Sequence, residues 1–261
     1  MPYIGQAPAP KVITSSDLSA DVVTEAKIAD NAVENEHLNA NVITGHTALG
    51  ATPADTDELL ISDAGTLKRV DFSYLKGGGM YELIQTQTIS SAVSSVEFTS
   101  SQFTTSHLDY LIIFSGVGLT YDGGQMEFLI SSDGGSSFIT TTDYFYGGHG
   151  EGSDGNLRSK ESQDDNKIRL HVSDSGNATG ENVSGVIELY DPLNQSSDDK
   201  FFSCTYRTVN YTSDNKVLNN YGGGGYKASG SEDTVFNGAK ISSTGGNIDQ
   251  GVFSIYGRKT S

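Results

Sequence analysis

Residues 108–114 read LDYLIIF, an apolar run broken only by Asp109. A run this short and this apolar is expected of a strand at the centre of a sheet. Working outward, other segments alternate with the two-residue period of half-buried strands. Met126, Phe128 and Ile130 alternate with Glu127; Ile168, Leu170 and Val172 alternate with Arg169 and His171. Ile187 and Leu189 bracket Glu188, and Phe202, Cys204 and Tyr206 alternate with Ser203 and Thr205. Val235, Ala239 and Ile241 share one parity, and Phe253 with Ile255 closes the series. Between these runs stand Asp122-Gly123-Gly124, Asp133-Gly134-Gly135, Asp174-Ser175-Gly176, Ser213-Asp214-Asn215 and Gly245-Gly246-Asn247, all turn chemistry. About eight to ten strands after Met80 predict an all-β fold, an antiparallel β-sandwich of jelly-roll type. No helix is read anywhere.

Composition agrees. The chain has 261 residues with 31 Gly, 13 Tyr, 11 Phe and no Trp, a mixture that favours strands and turns. One cysteine, Cys204, excludes an intrachain disulfide framework and a cysteine zinc cluster. The formal net charge is -17, so phosphate backbones are repelled and no nucleic-acid partner is expected. No stretch approaches the roughly 20 apolar residues of a membrane helix, so membrane insertion is not expected. The opening MPYIGQAPAP lacks a basic start and an apolar run, and is not read as a secretory signal. The Asn-x-Ser/Thr triplets at Asn177, Asn182, Asn194 and Asn210 are discounted on that ground.

A different pattern precedes the strands. Residues 18–47, LSADVVTEAK IADNAVENEH LNANVITGHT, repeat one ten-residue sentence three times. Leu18, Ile28 and Leu38 hold one place in it; Val22-Val23, Ala32-Val33 and Val42-Ile43 hold another. A ten-residue step rotates a helical stripe by about 80°, which scatters these residues around a helix. On a strand the Val22-Val23 pair would point both ways. Each unit is therefore expected to bend, with corners at Asp30-Asn31 and Asn39-Ala40-Asn41. Units this small bury their apolar residues only against neighbours or other chains. The economical solution is a bundle of identical chains, with Leu18, Val23, Ile28, Val33, Leu38 and Ile43 facing a shared axis; the alternative is a disordered Asn/Asp/Ala-rich tail. Residues 59–75, LLISDAGTLKRVDFSYL, read as a hairpin turning at Asp63-Ala64-Gly65, and Gly77-Gly78-Gly79 reads as a junction. The expected organisation is a repeat stalk over 1–50, a hairpin and junction over 51–79, and a sandwich head over 80–261.

Catalytic signatures are missing from the sequence. The histidines are His37, His46, His107, His149 and His171, and none lies in a zinc spacing. There is no GxSxG elbow, and the glycines of YGGGGY (221–226) lack the Lys-Ser/Thr of a phosphate loop. No enzymatic activity is expected. A polysaccharide-degrading spike would need two positioned carboxylates and a sugar-stacking groove. HGEGSDGN (149–156) and Asp164-Asp165-Asn166 offer oxygen ligands for calcium without EF-hand spacing; they read foremost as polar loop, and no cofactor is assigned. Two aromatic clusters stand beside glycine-rich loops: Tyr144, Phe145, Tyr146 and His149, and then Tyr221 with Tyr226. At loop tips they could contact a bacterial surface glycan or protein, or pack between neighbouring heads.

PYIGQAP at the start, the ten-residue units, and LLISDAGTLKRVDFSYL resemble the N-terminal part of tailed-bacteriophage fibre proteins. LISSDGGSSF (129–138), SGVIELYDP (184–192) and GNIDQGVFSIYGRK (246–259) resemble the receptor-side sandwich that ends many of them. That resemblance implies a homotrimer in the virion, non-catalytic, with the N-terminus docked on tail, neck or capsid proteins. Pro2, Tyr3, Ile4 and Gly5 would carry the docking, and the sandwich would face outward. The chain lacks an extended shaft, which leaves a short tail fibre, a head or neck fibre and a capsid-vertex spike open. A calcium-dependent carbohydrate-binding module is the more distant reading, and the repeat zone discriminates against it.

Overall fold

Two turn patterns recur through the first unit of the chain with the period of its sequence. In this computed structural model, residues 12–20, 24, 27–29, 32–33, 37, 39–75, 80–195, 201–228, 230 and 234–259 are described. Contacts divide the chain into Met1–Lys76 and Gly77–Ser261. In the first unit the Asp17 N–H bonds Thr14 O at 3.0 Å, and ten residues on the Lys27 N–H bonds Thr24 O at 2.9 Å. The Ala32 N–H bonds Ala29 O at 3.0 Å, and ten residues on the Val42 N–H bonds Asn39 O at 2.9 Å. Among the described residues each of these two turns recurs after ten residues, so the repeat bends and neither helix nor strand period fits it. The turn at Asn39–Val42 falls on the corner expected at Asn39-Ala40-Asn41, and the corner expected at Asp30-Asn31 lies outside the described residues. One correction concerns helices: Asn41–Thr44 continues its turn into a short α-helical stretch, and Ser15–Asp17 and Phe72–Tyr74 are 3-10 turns.

The hairpin pairs β1 (Glu58–Asp63) with β2 (Thr66–Asp71), Asp63 opposite Thr66. The two-residue loop carries positive φ at both Ala64 (49°) and Gly65 (84°), as the twist-matched I′ turn requires. Every residue of β1 is exposed.

The second unit is all antiparallel. Its strands are β3 (Tyr81–Ile89), β4 (Ser95–Phe98), β5 (His107–Leu119), β6 (Met126–Ser131), β7 (Tyr144–Gly152) and β8 (Leu157–Asp165). After these come β9 (Ile168–Arg169), β10 (Val183–Tyr190), β11 (Phe202–Tyr211), β12 (Val217–Tyr226), β13 (Gly238–Ser243) and β14 (Ile248–Lys259). The large sheet runs β3-β14-β5-β10-β11-β12-β7-β8 and the small one β4-β13-β6-β9. LDYLIIF lies in β5, inside the large sheet as expected. Tyr110, Ile112 and Phe114 point into the core.

The order separates a frame from two insertions. In the frame, β3, β5, β10 and β14 belong to the large sheet, and β4, β6, β9 and β13 to the small one. The chain crosses between sheets at β3/β4, β4/β5, β5/β6, β6/β7, β8/β9, β9/β10, β12/β13 and β13/β14. The hairpin β7–β8 interrupts the path from β6 to β9, and β11–β12 the path from β10 to β13. These two hairpins bond to each other and continue the large sheet beyond β10. They raise the number of strands above the range read from sequence. The sheets close on one apolar core, in which Phe114 stacks on Phe253 at 5.9 Å and Phe128 on Phe202 at 6.3 Å.

Three side chains depart from simple alternation. Glu127 points away from the Phe128 side yet is buried, because Lys167 (3.0 Å) and Arg169 (3.1 Å) close over its carboxylate. Val235 is exposed and Phe236 buried, since β13 begins only at Gly238. His171 was expected to face outward but is fully buried. β9 ends at Arg169, so the two-residue period no longer governs His171. Its Nε2 accepts the Met126 N–H at 2.8 Å, which leaves the proton on Nδ1, facing Ser173 O. The imidazole is neutral, and burial pushes its pKa down to about 4.

Candidate functional site

The two aromatic, glycine-rich stretches flagged separately in the sequence are neighbours in the large sheet. β12 pairs with β7 so that Tyr226 faces Tyr144, Gly225 faces Phe145, Gly224 faces Tyr146, Gly222 faces Gly148 and Tyr221 faces His149. Both are strands, not the glycine-rich loops the composition suggested. Packing explains the glycines on the inner side. A Cβ at Gly148 or at Gly222 would meet the Tyr206 hydroxyl. On the outer side Gly147 meets nothing within 4 Å. It forms a bare strip with Gly223, its partner across the ladder.

Strand parity then divides the six aromatic and imidazole candidates. Tyr144, Tyr146 and Tyr226 point inward and are buried. The Tyr144 hydroxyl donates to Ile139 O and accepts the Ile130 N–H, both at 3.1 Å. The Tyr146 hydroxyl donates to Asp165 at 3.0 Å, and Tyr226 shares a hydrogen bond with Thr141 at 3.0 Å. These three are core residues with satisfied hydroxyls, and contact with an outside partner is withdrawn for them. Phe145, His149 and Tyr221 point outward. Tyr221 is 53% exposed, and its ring lies 6.1 Å from that of His149. Lys227 sits 5.5 Å over the Phe145 ring.

Beside this strip the outer face holds residues that no motif marked. Along one row of the ladder stand His149 (β7), Tyr221 (β12), Arg207 (β11) and Val186 (β10). Two shallow depressions, about 390 and 460 Å³, share Val186, Arg207 and Tyr221. Glu188 and Thr205 line the first, joined through Tyr190: its hydroxyl lies 2.8 Å from each of their oxygens. Arg207 is set apart by what it lacks. The chain has five arginines. Arg69 pairs with Glu58, Arg158 with Asp154, Arg169 with Glu127 and Arg258 with Asp109. Arg207, exposed, makes no ion pair and no side-chain hydrogen bond among the described residues. The alternation of β11 turns it outward, and the strand order sets what it stands beside.

The other candidates lie elsewhere. Leu18, Ile28, Val33 and Ile43 are exposed at 49, 45, 53 and 81% in the first unit. Val23, Leu38 and the docking candidates Pro2, Tyr3, Ile4 and Gly5 lie outside the described residues. In the segment proposed for calcium, Asp154 is held by Arg158 at 2.7 Å and by Lys216 at 3.6 Å. Among the described residues no group of three His, Cys, Asp or Glu side chains is placed to hold a metal ion, and no helix is long and apolar enough to cross a membrane.

No protein-family model and no curated protein matches this chain. Among solved structures, a chain of the "Structure of infectious bursal disease virus Gx strain" is similar at 9% identity, with a TM-score of 0.11. The match covers 76% of this chain and 45% of that one, so it spans under half of that chain's length. A likeness of this size carries no argument about fold or function.

Proposed function

We propose that this chain is a structural, adhesive bacteriophage virion protein: a homotrimeric tail fibre or short spike. Its N-terminal region docks on other virion proteins, and its C-terminal sandwich faces outward for host attachment. One observation carries the reading. Among the described residues two turns each recur after ten residues, yet Leu18, Ile28, Val33 and Ile43 are open to solvent. Burying such a side chain contributes about 1.5–3 kcal/mol. A single chain forgoes this at every unit, and parallel copies recover it together. The hairpin supports the same reading, since Leu59, Leu60, Ile61 and Leu67 are also exposed, and an isolated hairpin is marginal in water.

The sandwich reads as a jelly roll, supported by the frame order β3-β14-β5-β10 and β4-β13-β6-β9. A non-catalytic role fits the outer face. There Glu188, Thr205, Gly223, Gly147 and Glu161 form one ladder row. Its two carboxylates stand four strands apart, about 19 Å at ~4.8 Å per strand. Paired-carboxylate glycoside hydrolysis requires at most ~9.5 Å.

Ile28→Asp tests the assembly. Three copies of an unpaired charge at a shared axis should dissociate the oligomer in sedimentation velocity; wild-type sedimentation of that variant rules the axis out. Imaging of particles carrying the labelled protein tests the location.

A further inference from the structure

We infer that the outer face of β10, β11, β12 and β7 is a binding site for a carboxylated saccharide. Arg207 would hold the carboxylate and Tyr221 would stack against a sugar ring. The inference rests on the reading of the sandwich as an attachment head and names the ligand class of that face.

An unpaired guanidinium is out of keeping with this chain. Acidic residues number 33 against 16 basic ones, and the other four arginines have each found a carboxylate. Arg207 instead stands where two depressions meet, with Val186 and Tyr221 as its cross-strand neighbours. Its planar fork matches a carboxylate with two parallel hydrogen bonds. Tyr221 presents an exposed aromatic surface beside it, extended by the His149 ring. Aromatic surface next to a polar anchor suits a sugar, which offers apolar C–H faces and hydroxyl edges. The bare strip at Gly147 and Gly223 leaves room for further sugar units along the ladder. Glu188, Thr205 and Tyr190 already form a hydrogen-bonded group that can meet hydroxyls. The overall charge of -17 opposes long polyanions, so recognition falls to a local cation, Arg207.

Calorimetric titration with a short hexuronic-acid oligosaccharide, and with its carboxyl-reduced form, tests the assignment. Binding of the acidic sugar is expected, with roughly tenfold or greater weakening for the reduced sugar and for Arg207→Gln, the scale of a charge-assisted hydrogen bond. Arg207→Lys should recover part of the affinity, and Tyr221→Ala should weaken both sugars. Arg207→Gln should unfold at the wild-type temperature, because no partner among the described residues is lost. Equal binding of the two sugars, no binding of either, or indifference to Arg207→Gln overturns the proposal. Equal competition by an acidic peptide overturns the saccharide assignment. A changed sedimentation of Arg207→Gln without sugar would make this face a contact between copies, and also overturns it. Virion imaging separates the two readings: a protein absent from particles that still binds the sugar through Arg207 sinks only the fibre.

Discussion

Gly148 and Gly222 face each other across β7 and β12, and the Tyr206 hydroxyl occupies the space where their side chains would begin. A Cβ at Gly222 would stand 2.5 Å from that hydroxyl and 2.5 Å from Gly147 O. The second neighbour is backbone and cannot turn aside. Gly222→Ala should therefore destabilise the sandwich by about 1–3 kcal/mol, the usual range for overpacking. Gly147→Ala, on the open outer side, should be neutral or gain up to about 1 kcal/mol from a stiffer unfolded chain. Urea unfolding of the pair checks both; equal losses would contradict the packing described.

Cys204 lies on the inner side of the same strand as Tyr206 and is buried. Burial pushes its thiol pKa up to about 12. The thiolate is the reactive species, so native protein at pH 8 should resist a disulfide reagent and react fully once urea unfolds it. Prompt labelling of the native chain would place Cys204 elsewhere.

His171 sets a pH window. The folded ring gains a proton only near pH 4, whereas the unfolded ring does so near the ordinary 6.5. Between those values the unfolded state holds more protons, so stability falls as pH drops and is flat above the window. The full loss is on the order of 3 kcal/mol. Glu82 and Asp214, whose pKa values are lowered by Lys259 and Lys216, lose stabilisation further down, below the usual carboxylate range. Unfolding free energies at pH 7, 6 and 5 should show the slope, and His171→Asn should lack it above pH 5.

Asp109 anchors the end of the frame. Its Oδ2 accepts Arg258 Nε–H at 2.6 Å and its Oδ1 accepts the Asp191 N–H at 2.9 Å. Asp109→Ala should cost about 1–3 kcal/mol. Because Arg258 is partly exposed, the pair itself should contribute only about 1 kcal/mol. A double-mutant cycle with Arg258→Ala measures that share, and a coupling near zero would assign the loss to the Asp191 bond alone.

Strand residues were legible wherever one face is buried throughout. Phe202, Cys204 and Tyr206 inward with Thr205 outward followed from parity alone, as did Ile187 and Leu189. Legibility ended where a strand ended: His171 and Val235 lie just past strand limits that hydrogen bonding sets and composition does not. For the outer face, sequence marked Tyr221 and His149 but could not tell them from Tyr144, Tyr146 and Tyr226. Aromatic clusters look alike until register decides which ring turns inward. Arg207 went unmarked because its distinction is a missing partner, and partners are a property of the folded chain.

The two inserted hairpins bond to each other and leave the frame strands paired among themselves. Their turns at 153–156 and 213–216 can therefore lengthen, shorten or change residues while the frame keeps its register. The fold thus keeps its paired frame apart from hairpin turns whose length and residues the frame does not fix.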